Sequence, residues 1–274
     1  MLKEFKPNIV SICTPTPTHV EITKLVASCP SVKTIFLEKP IAQSLKEADE
    51  ILHACKEYNI RLAINYSRRW SNVYQNLKHR ISLPLYMLGV HPGPILRSGS
   101  HMVDLYNWYV TSSPYWEKTK VQAYGTPRLS AYMNETGDFN INGQIDYTSA
   151  SATIIGNFLI PQKTVVFEFD AFYKNQRSKI TENGIREETF ECRTSHHYRE
   201  LNEYSQTCLL EHSSKNLLFT AINDIVKSNN SIKCTGMDGR RALQVTLALH
   251  YSATHGNMPL YLKDLPYDYS VRSY

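Results

Sequence analysis

Apolar and polar positions run along the chain in a rhythm that changes near residue 66. Between residues 8 and 66, three short apolar runs, NIVSICT, KTIFLEK and RLAINY, are separated by the helical patterns HVEITKLVASC and SLKEADEILHACKEY. Short apolar runs spaced by single helices are the signature of parallel βαβ units whose strands are buried on both faces. In the second spacer Ala48, Ile51, Leu52 and Cys55 recur at helical spacing, while Lys46, Glu47, Asp49 and Glu50 face outward. Ser44 before it is an expected N-cap, and Glu47 three residues on completes the pattern of a capping box.

Beyond this point the period shortens. Helices are expected in SNVYQNLKHRI and HMVDLYNWYV, and then KVQAYG, DFNINGQIDYT, ASATIIGNFL, TVVFEFDAFY and ETFECR follow one another between residues 120 and 193. These segments are β-branched and aromatic, bounded by Gly, Pro and Asn. They include period-two alternation, with Val166, Glu168 and Asp170 set against Phe167, Phe169 and Ala171. Strands that succeed one another without intervening helices predict an antiparallel sheet. Helices over residues 215–227 and 239–255 and a last strand, PLYL, close the chain. The fold class expected is therefore α/β plus α+β. A partial Rossmann-type parallel sheet over residues 1–67 precedes a mainly antiparallel open sheet over residues 68–274.

Composition narrows the classes. The 274 residues are 42% hydrophobic and 20% charged, as in an ordinary globular protein. No apolar run approaches the roughly 18 residues of a membrane span, and the start, MLKEFKPNIV, lacks a signal-peptide apolar region. A cytoplasmic location without a membrane partner is expected. Cysteines 13, 29, 55, 192, 208 and 234 never form C-x-x-C, so neither a zinc site nor a disulfide framework is indicated, and no metal is expected. The pair His196/His197 lacks a ligand partner at metal spacing and reads as loop. The net charge of +5 is dispersed, with only pairs such as Arg68/Arg69 and Arg240/Arg241. That argues against a nucleic-acid stripe and suits a small substrate bearing a phosphate or carboxylate.

One stretch carries chemistry. TIFLEKPIAQSL places Glu38, Lys39 and Pro40 directly after an apolar run. Ligands of open α/β sheets bind beyond the carboxyl ends of the strands. On these three residues alone a solvated ion pair before a turn is the favoured reading, ahead of a reactive lysine in a cleft.

The succession ICTPTPTHVEI, IFLEKPIA, LAINYSRRW, SGSHMVDLYNW and MDGRRALQVTLALHYSATHG resembles the glucose-fructose oxidoreductase / inositol dehydrogenase family, Gfo/Idh/MocA, over nearly the whole chain and in the same order. The resemblance implies a nucleotide-binding Rossmann domain joined to an open antiparallel sheet. It also implies oxidation of a hydroxyl of a sugar, cyclitol or sugar nucleotide, or the reverse reduction, with NAD or NADP. Taking a hydride from a carbinol carbon requires a base for the hydroxyl proton and donors that orient the oxygen. By resemblance Lys39 hydrogen-bonds that oxygen between nicotinamide and substrate, Glu38 lies beside the cofactor, and Pro40 fixes the turn. Thr14 and Pro15 resemble the cofactor loop, with His19 following on its helix, though Thr14 and His19 read equally well as structural caps. Asn65 resembles a residue near the nicotinamide, His101 the general base, and Asp104 either a substrate contact or a support for its helix. Arg68, Arg69 and Trp70 resemble the connection into the second domain, where packing is the favoured reading.

Two departures qualify the resemblance. Arg97 stands where many members carry an Asp four residues before the histidine. An arginine suits a bidentate contact to an anionic substrate but does not orient an imidazole as a carboxylate would. The G-x-G-x-x-G/A turn that holds pyrophosphate on a helix N-terminus does not occur in the sequence, and residues 8–14 correspond to a later strand. An N-terminally incomplete Rossmann unit, short of a βαβ unit of about 30 or more residues, is expected to bind NAD or NADP weakly or not at all. It is also expected to expose a sheet edge. The alternative function is a catalytically inactive relative that serves binding or assembly. Self-association through the antiparallel sheet is expected, because such a sheet can leave one face uncovered.

Overall fold

The first strands explain why the apolar runs are so short. In the computed structural model, which describes residues 2–80, 84–110, 116–125, 137–157, 167–173, 176–181, 186–194, 199–206, 214–227 and 232–273, a brief helix α1 (Leu2–Phe5) leads into β1 (Ile9–Ile12). β2 (Thr34–Leu37) and β3 (Arg61–Ile64) complete a parallel sheet of order β1-β2-β3. α2 (His19–Ala27) and α3 (Leu45–Glu57) make the two crossovers. All four residues of the central strand β2 are buried, as a parallel strand covered on both faces requires. β1, at the edge, buries only Ile12 and leaves Ile9 36% exposed.

α3 begins as its sequence foretells. Ser44 Oγ accepts the Glu47 amide at 3.2 Å, while the Glu47 carboxylate accepts from the Gln43 amide at 2.9 Å, one residue further back than a capping box has it. Ala48, Ile51 and Cys55 form its buried face.

The second sheet has nine strands among the described residues. β4 (Tyr86–Pro92), β5 (Lys120–Gly125), β6 (Ile141–Asp146), β7 (Ser151–Asn157), β8 (Glu168–Phe172), β9 (Gln176–Thr181), β10 (Arg186–Thr194), β11 (Arg199–Gln206) and β12 (Leu260–Tyr261) lie in the order β11-β10-β9-β8-β4-β7-β6-β5-β12. Every pairing is antiparallel except β4 with β7, so the sheet is mixed and mostly antiparallel. Of these strands, β4, β9 and β11 were not legible in the apolar pattern. Phe167, Phe169 and Ala171 are buried as their alternation indicates, and Asp170 is buried with its carboxylate on Arg177 at 2.9 Å. Val166, His196 and His197 lie outside the described residues.

Helices α4 (Asn72–Arg80), α5 (Ser100–Val110), α6 (Ser214–Lys227) and α7 (Gly236–Thr254) complete the fold. α5 lies close to the central strand: Gly89 of β4 leaves the space that Met102 and Tyr106 of α5 occupy. α7 joins the two sheets. It starts with a full capping box between Thr235 and Asp238. Gly236 and Gly239 lie against Leu62 and Ile64 of β3, where a side chain would collide. The Ile64 amide donates to Cys234 O at 3.0 Å and an Ala63–Thr235 bridge closes that sheet edge. Arg240 grips Asp49 of α3 through two bonds of 2.5 and 2.9 Å. Further on, Tyr267 O accepts the Lys46 amide and the Val271 amide donates to Gln43 O. The end of the chain thus fastens the first unit to the second.

Candidate active site

The carboxyl ends of the parallel strands carry the anticipated residues. Backbone bonds continue one step past the strands, from the Glu38 amide to Ile12 O and from the Asn65 amide to Leu37 O, both 2.9 Å. They place Glu38 and Asn65 side by side. Asn65 Nδ2 donates to Glu38 Oε1 at 2.6 Å, and the Lys39 amide donates to Glu38 Oε2 at 3.3 Å. Glu38 is therefore held in place by its neighbours. The Lys39–Pro40 peptide is cis.

Lys39 reaches from here into the second unit, donating from Nζ to Arg97 O at 2.8 Å. Burial lowers its pKa, with Glu38 and Asp138 acting in the opposite direction and Arg68 and Arg97 adding to the depression. His101 meets it from the first turn of α5, its ring packed edge-on against Tyr66 with centroids 5.6 Å apart. Burial, Arg68, Lys39 and His91 all disfavour its protonated form and hold its pKa well below the ordinary histidine value. The imidazole is neutral at pH 7. His101 Nδ1 and Asn65 Oδ1 are both buried with no hydrogen-bond partner among the described residues. Buried polar atoms without a partner are uncommon in folded proteins, and each calls for an explanation.

The other anticipated residues are placed as follows. Arg97 is exposed and contributes its carbonyl to Lys39. Thr14 and Pro15 are exposed beyond β1. Thr14 Oγ1 accepts from Thr18 Oγ1 at 2.8 Å, and Thr14 O lies 3.0 Å from His19 Nε2. His19 is buried and bonds Ile41 O through its other nitrogen, at 3.2 Å. Asp104 is 1% exposed and binds Arg69 through both oxygens, from Nε at 2.9 Å and from Nη2 at 2.8 Å. Arg69 also meets Lys233 O at 3.1 Å and Asp238 at 3.3 Å. Trp70 Nε1 donates to Asp224 of α6 at 3.0 Å. Arg68 instead is stacked 3.5 Å above the Phe167 ring. Arg69 and Trp70 pack, and Arg68 lends positive charge to Lys39 and His101.

Sequence reasoning overlooked Asp138. It follows Gly137, whose φ of +75° is the left-handed turn glycine favours, and it is 2% exposed. Its two oxygens accept the Leu96 and Arg97 amides, each at 3.1 Å. Burial pushes its carboxyl up to about 7. The only local signal was the Gly-Asp pair, which reads as an ordinary solvated turn.

The carboxyl end of the parallel sheet thus gathers a lysine, a neutral histidine and two polar atoms without a partner among the described residues. Residues 1–66 match the family model described as oxidoreductase family, NAD-binding Rossmann fold, of the Gfo/Idh/MocA group. It is 24% identical to the uncharacterized oxidoreductase YrbE of Bacillus subtilis (strain 168), over 92% of this chain and 77% of that protein. It is 27% identical to scyllo-inositol 2-dehydrogenase (NAD(+)) of the same organism, over 47% of this chain and 42% of that one. Among solved structures, UDP-N-acetylglucosamine 3-dehydrogenase GnnA from Acidithiobacillus ferrooxidans superposes with a TM-score of 0.74 at 17% identity, covering 90% of this chain and 80% of that chain. Levoglucosan dehydrogenase in complex with NADH superposes with a TM-score of 0.75 at 14% identity, covering 97% and 83%. These structural likenesses establish the shared fold. The alternative of a catalytically inactive relative finds no support among the proteins matched.

Proposed function

We propose that this protein oxidises a hydroxyl, or reduces a keto group, of a sugar, cyclitol or sugar nucleotide with NAD or NADP. What supports the reading is that Lys39 and His101 interact electrostatically at the carboxyl end of a parallel sheet, where Asn65 Oδ1 has no hydrogen-bond partner among the described residues. The names of the relatives, an inositol dehydrogenase and two dehydrogenases of sugar derivatives, support the substrate class.

The residues fit the nicotinamide end of a dinucleotide. Thr14, Pro15, Glu38 and Asn65 would hold it, and Asn65 Oδ1 offers an acceptor to an amide N–H such as a carboxamide bears. Bound there, the dinucleotide supplies the acceptor or donor of hydride. His101 is the base: its neutral imidazole takes the hydroxyl proton as the carbonyl forms, and returns it in the reverse direction. Lys39 donates a hydrogen bond to the same oxygen and places positive charge where negative charge develops. Arg68 and Arg97 add to the positive field, which suits a substrate with a phosphate or carboxylate. Asp104 acts one step back, keeping α5 and therefore His101 in place.

The test is turnover of a panel of neutral and anionic sugars, cyclitols and sugar nucleotides, with each dinucleotide at high concentration because no glycine-rich pyrophosphate turn is present in these 274 residues. Lys39→Met and His101→Leu should each reduce turnover by about 10²–10⁴-fold with circular dichroism unchanged. A folded chain that turns over nothing with either dinucleotide overturns the proposal. We further propose self-association on the open face of the nine-stranded sheet, where β6 alternates buried and exposed positions. Light scattering that finds a monomer at micromolar concentration would count against it.

A further inference from the structure

Asp138 is far from Lys39 in sequence, yet the two meet on opposite sides of one residue. The Arg97 amide donates to Asp138 Oδ2 at 3.1 Å, and the Arg97 carbonyl accepts from Lys39 Nζ at 2.8 Å. Asp138 Oδ1 holds the preceding amide, that of Leu96, and the Ile95 amide donates to Phe139 O at 2.9 Å. The turn Ile95–Gly99, which ends where α5 and His101 begin, is thus fixed at three consecutive amides by residues 138 and 139.

Asp138 is itself held from behind. His250 of α7 lies with Nε2 2.9 Å from Gly137 O and Nδ1 2.7 Å from the Tyr269 hydroxyl. A carbonyl only accepts, so the ring donates to Gly137 and accepts from Tyr269. The same ring packs on Phe139 with centroids 4.8 Å apart. A neutral side chain would suffice to cap two amides, and burying a carboxylate is costly without a compensating charge. The compensating charge within reach is Lys39.

We propose that Asp138 is a positioning residue for Lys39: through the backbone of Arg97 it fixes where the lysine ammonium stands, and by its own charge it keeps that ammonium protonated. The inference rests on the reading of Lys39 as the functional lysine. The charged and titratable groups facing Lys39 are Glu38 on its own strand end, Arg68 on the turn Ser67–Trp70, Arg97 on the turn before α5, His101 on α5, and Asp138. Of these, Glu38 and Asp138 are the anions. Removing Asp138 leaves one anion against the two arginines, so Lys39 loses its proton more readily.

Two measurements on the intact chain, without substrate or dinucleotide, test this. In Asp138→Asn, the midpoint of the pH dependence of Lys39 acylation, followed by peptide mass spectrometry with exposed Lys24 as internal reference, should fall by about half a unit or more. That corresponds to about a threefold faster reaction at neutral pH. In Lys39→Met, the carboxyl titration of Asp138 followed by carbon NMR should rise by the same amount, because the coupling is reciprocal. If Asp138→Asn does not fold, the second arm decides alone. Matching shifts support the proposal. An unmoved Lys39 midpoint in a folded Asp138→Asn, or an unmoved Asp138 in Lys39→Met, overturns it. Coupling that persists in a chain with no turnover on any substrate would sink the oxidoreductase reading and leave this one standing.

Discussion

Helix α5 carries His101 and Asp104 one turn apart and puts them in opposite situations. Asp104 is buried with both oxygens on Arg69, and Arg69 has further partners in Lys233 O and Asp238. His101 is surrounded by Arg68 and Lys39, which repel its protonated form, and its Nδ1 has no partner among the described residues. A saturated polar cluster stabilises a fold and has nothing to offer a ligand. An unsaturated one costs stability and is retained where something else completes it. The same helix therefore presents one saturated group and one with an unclaimed nitrogen, a contrast that residue type alone does not reveal.

Breaking the saturated side should have the largest effect on the fold. Arg69→Leu leaves the Asp104 carboxylate buried without its counter-ion. Loss of one partner from such a pair costs about 3–5 kcal/mol, measurable as a fall in the urea midpoint. Arg69→Leu with Asp104→Leu removes both charges and should recover much of that loss, since a buried pair replaced by apolar groups is often close to neutral. A single variant as stable as the parent would show that the pair holds nothing, and the contrast drawn on α5 would fail.

Acid titration sharpens the comparison with effects of intermediate size. Burial holds His91 and His250 down to about 4, and His101 well below its ordinary value. For each of these the folded pKa lies below the unfolded one. The unfolded chain therefore takes the proton first, and stability is lost as the pH falls from about 6.5 through the folded pKa. Asp138 and Asp104 behave in reverse. Burial raises them to about 7 and about 6, so the folded chain takes the proton first and gains stability as the pH falls through those values. The two sets oppose each other between pH 7 and 4. His250→Gln should flatten the acid loss, by up to about 1.4 kcal/mol per pH unit for one proton. Asp138→Asn should steepen it. Urea melts at several pH values would show both slopes, and identical slopes in both variants and the parent would contradict the burial of these groups.

How much of this was legible follows from the same distinction. Local chemistry reads well: Ser44 caps α3, the three short apolar runs are the three parallel strands, and Glu38-Lys39-Pro40 directly follows β2. Non-local pairing does not. β4 escaped notice because Gly89, His91 and Pro92 have poor strand propensity, although it is the central strand of the large sheet and alternates buried with less buried positions. Gly89 makes sense only once Met102 and Tyr106 are seen to fill the space above it. Asp138 and the Arg69–Asp104 pair were hidden for one reason. An aspartate in a turn and an arginine in an Arg-Arg-Trp run look solvated until distant residues, Leu96, Arg97 and Asp104, close over them.

The smallest effect tests whether distance or burial gives a buried pair its strength. Lys24 of α2 and Glu50 of α3 approach to 2.6 Å, closer than the 2.8 Å between Arg69 and Asp104. Their side chains are 49% and 38% exposed, against 3% and 1%. Water screens the first pair, and ordering two long side chains costs entropy that the contact must offset. Exposed pairs contribute about 0–1 kcal/mol. Lys24→Met should accordingly shift the urea midpoint little, and the remaining difference should vanish at high salt. A loss comparable with that of Arg69→Leu would mean that proximity outweighs burial in this protein, and the saturated cluster beneath α5 would then owe its weight to contact geometry alone.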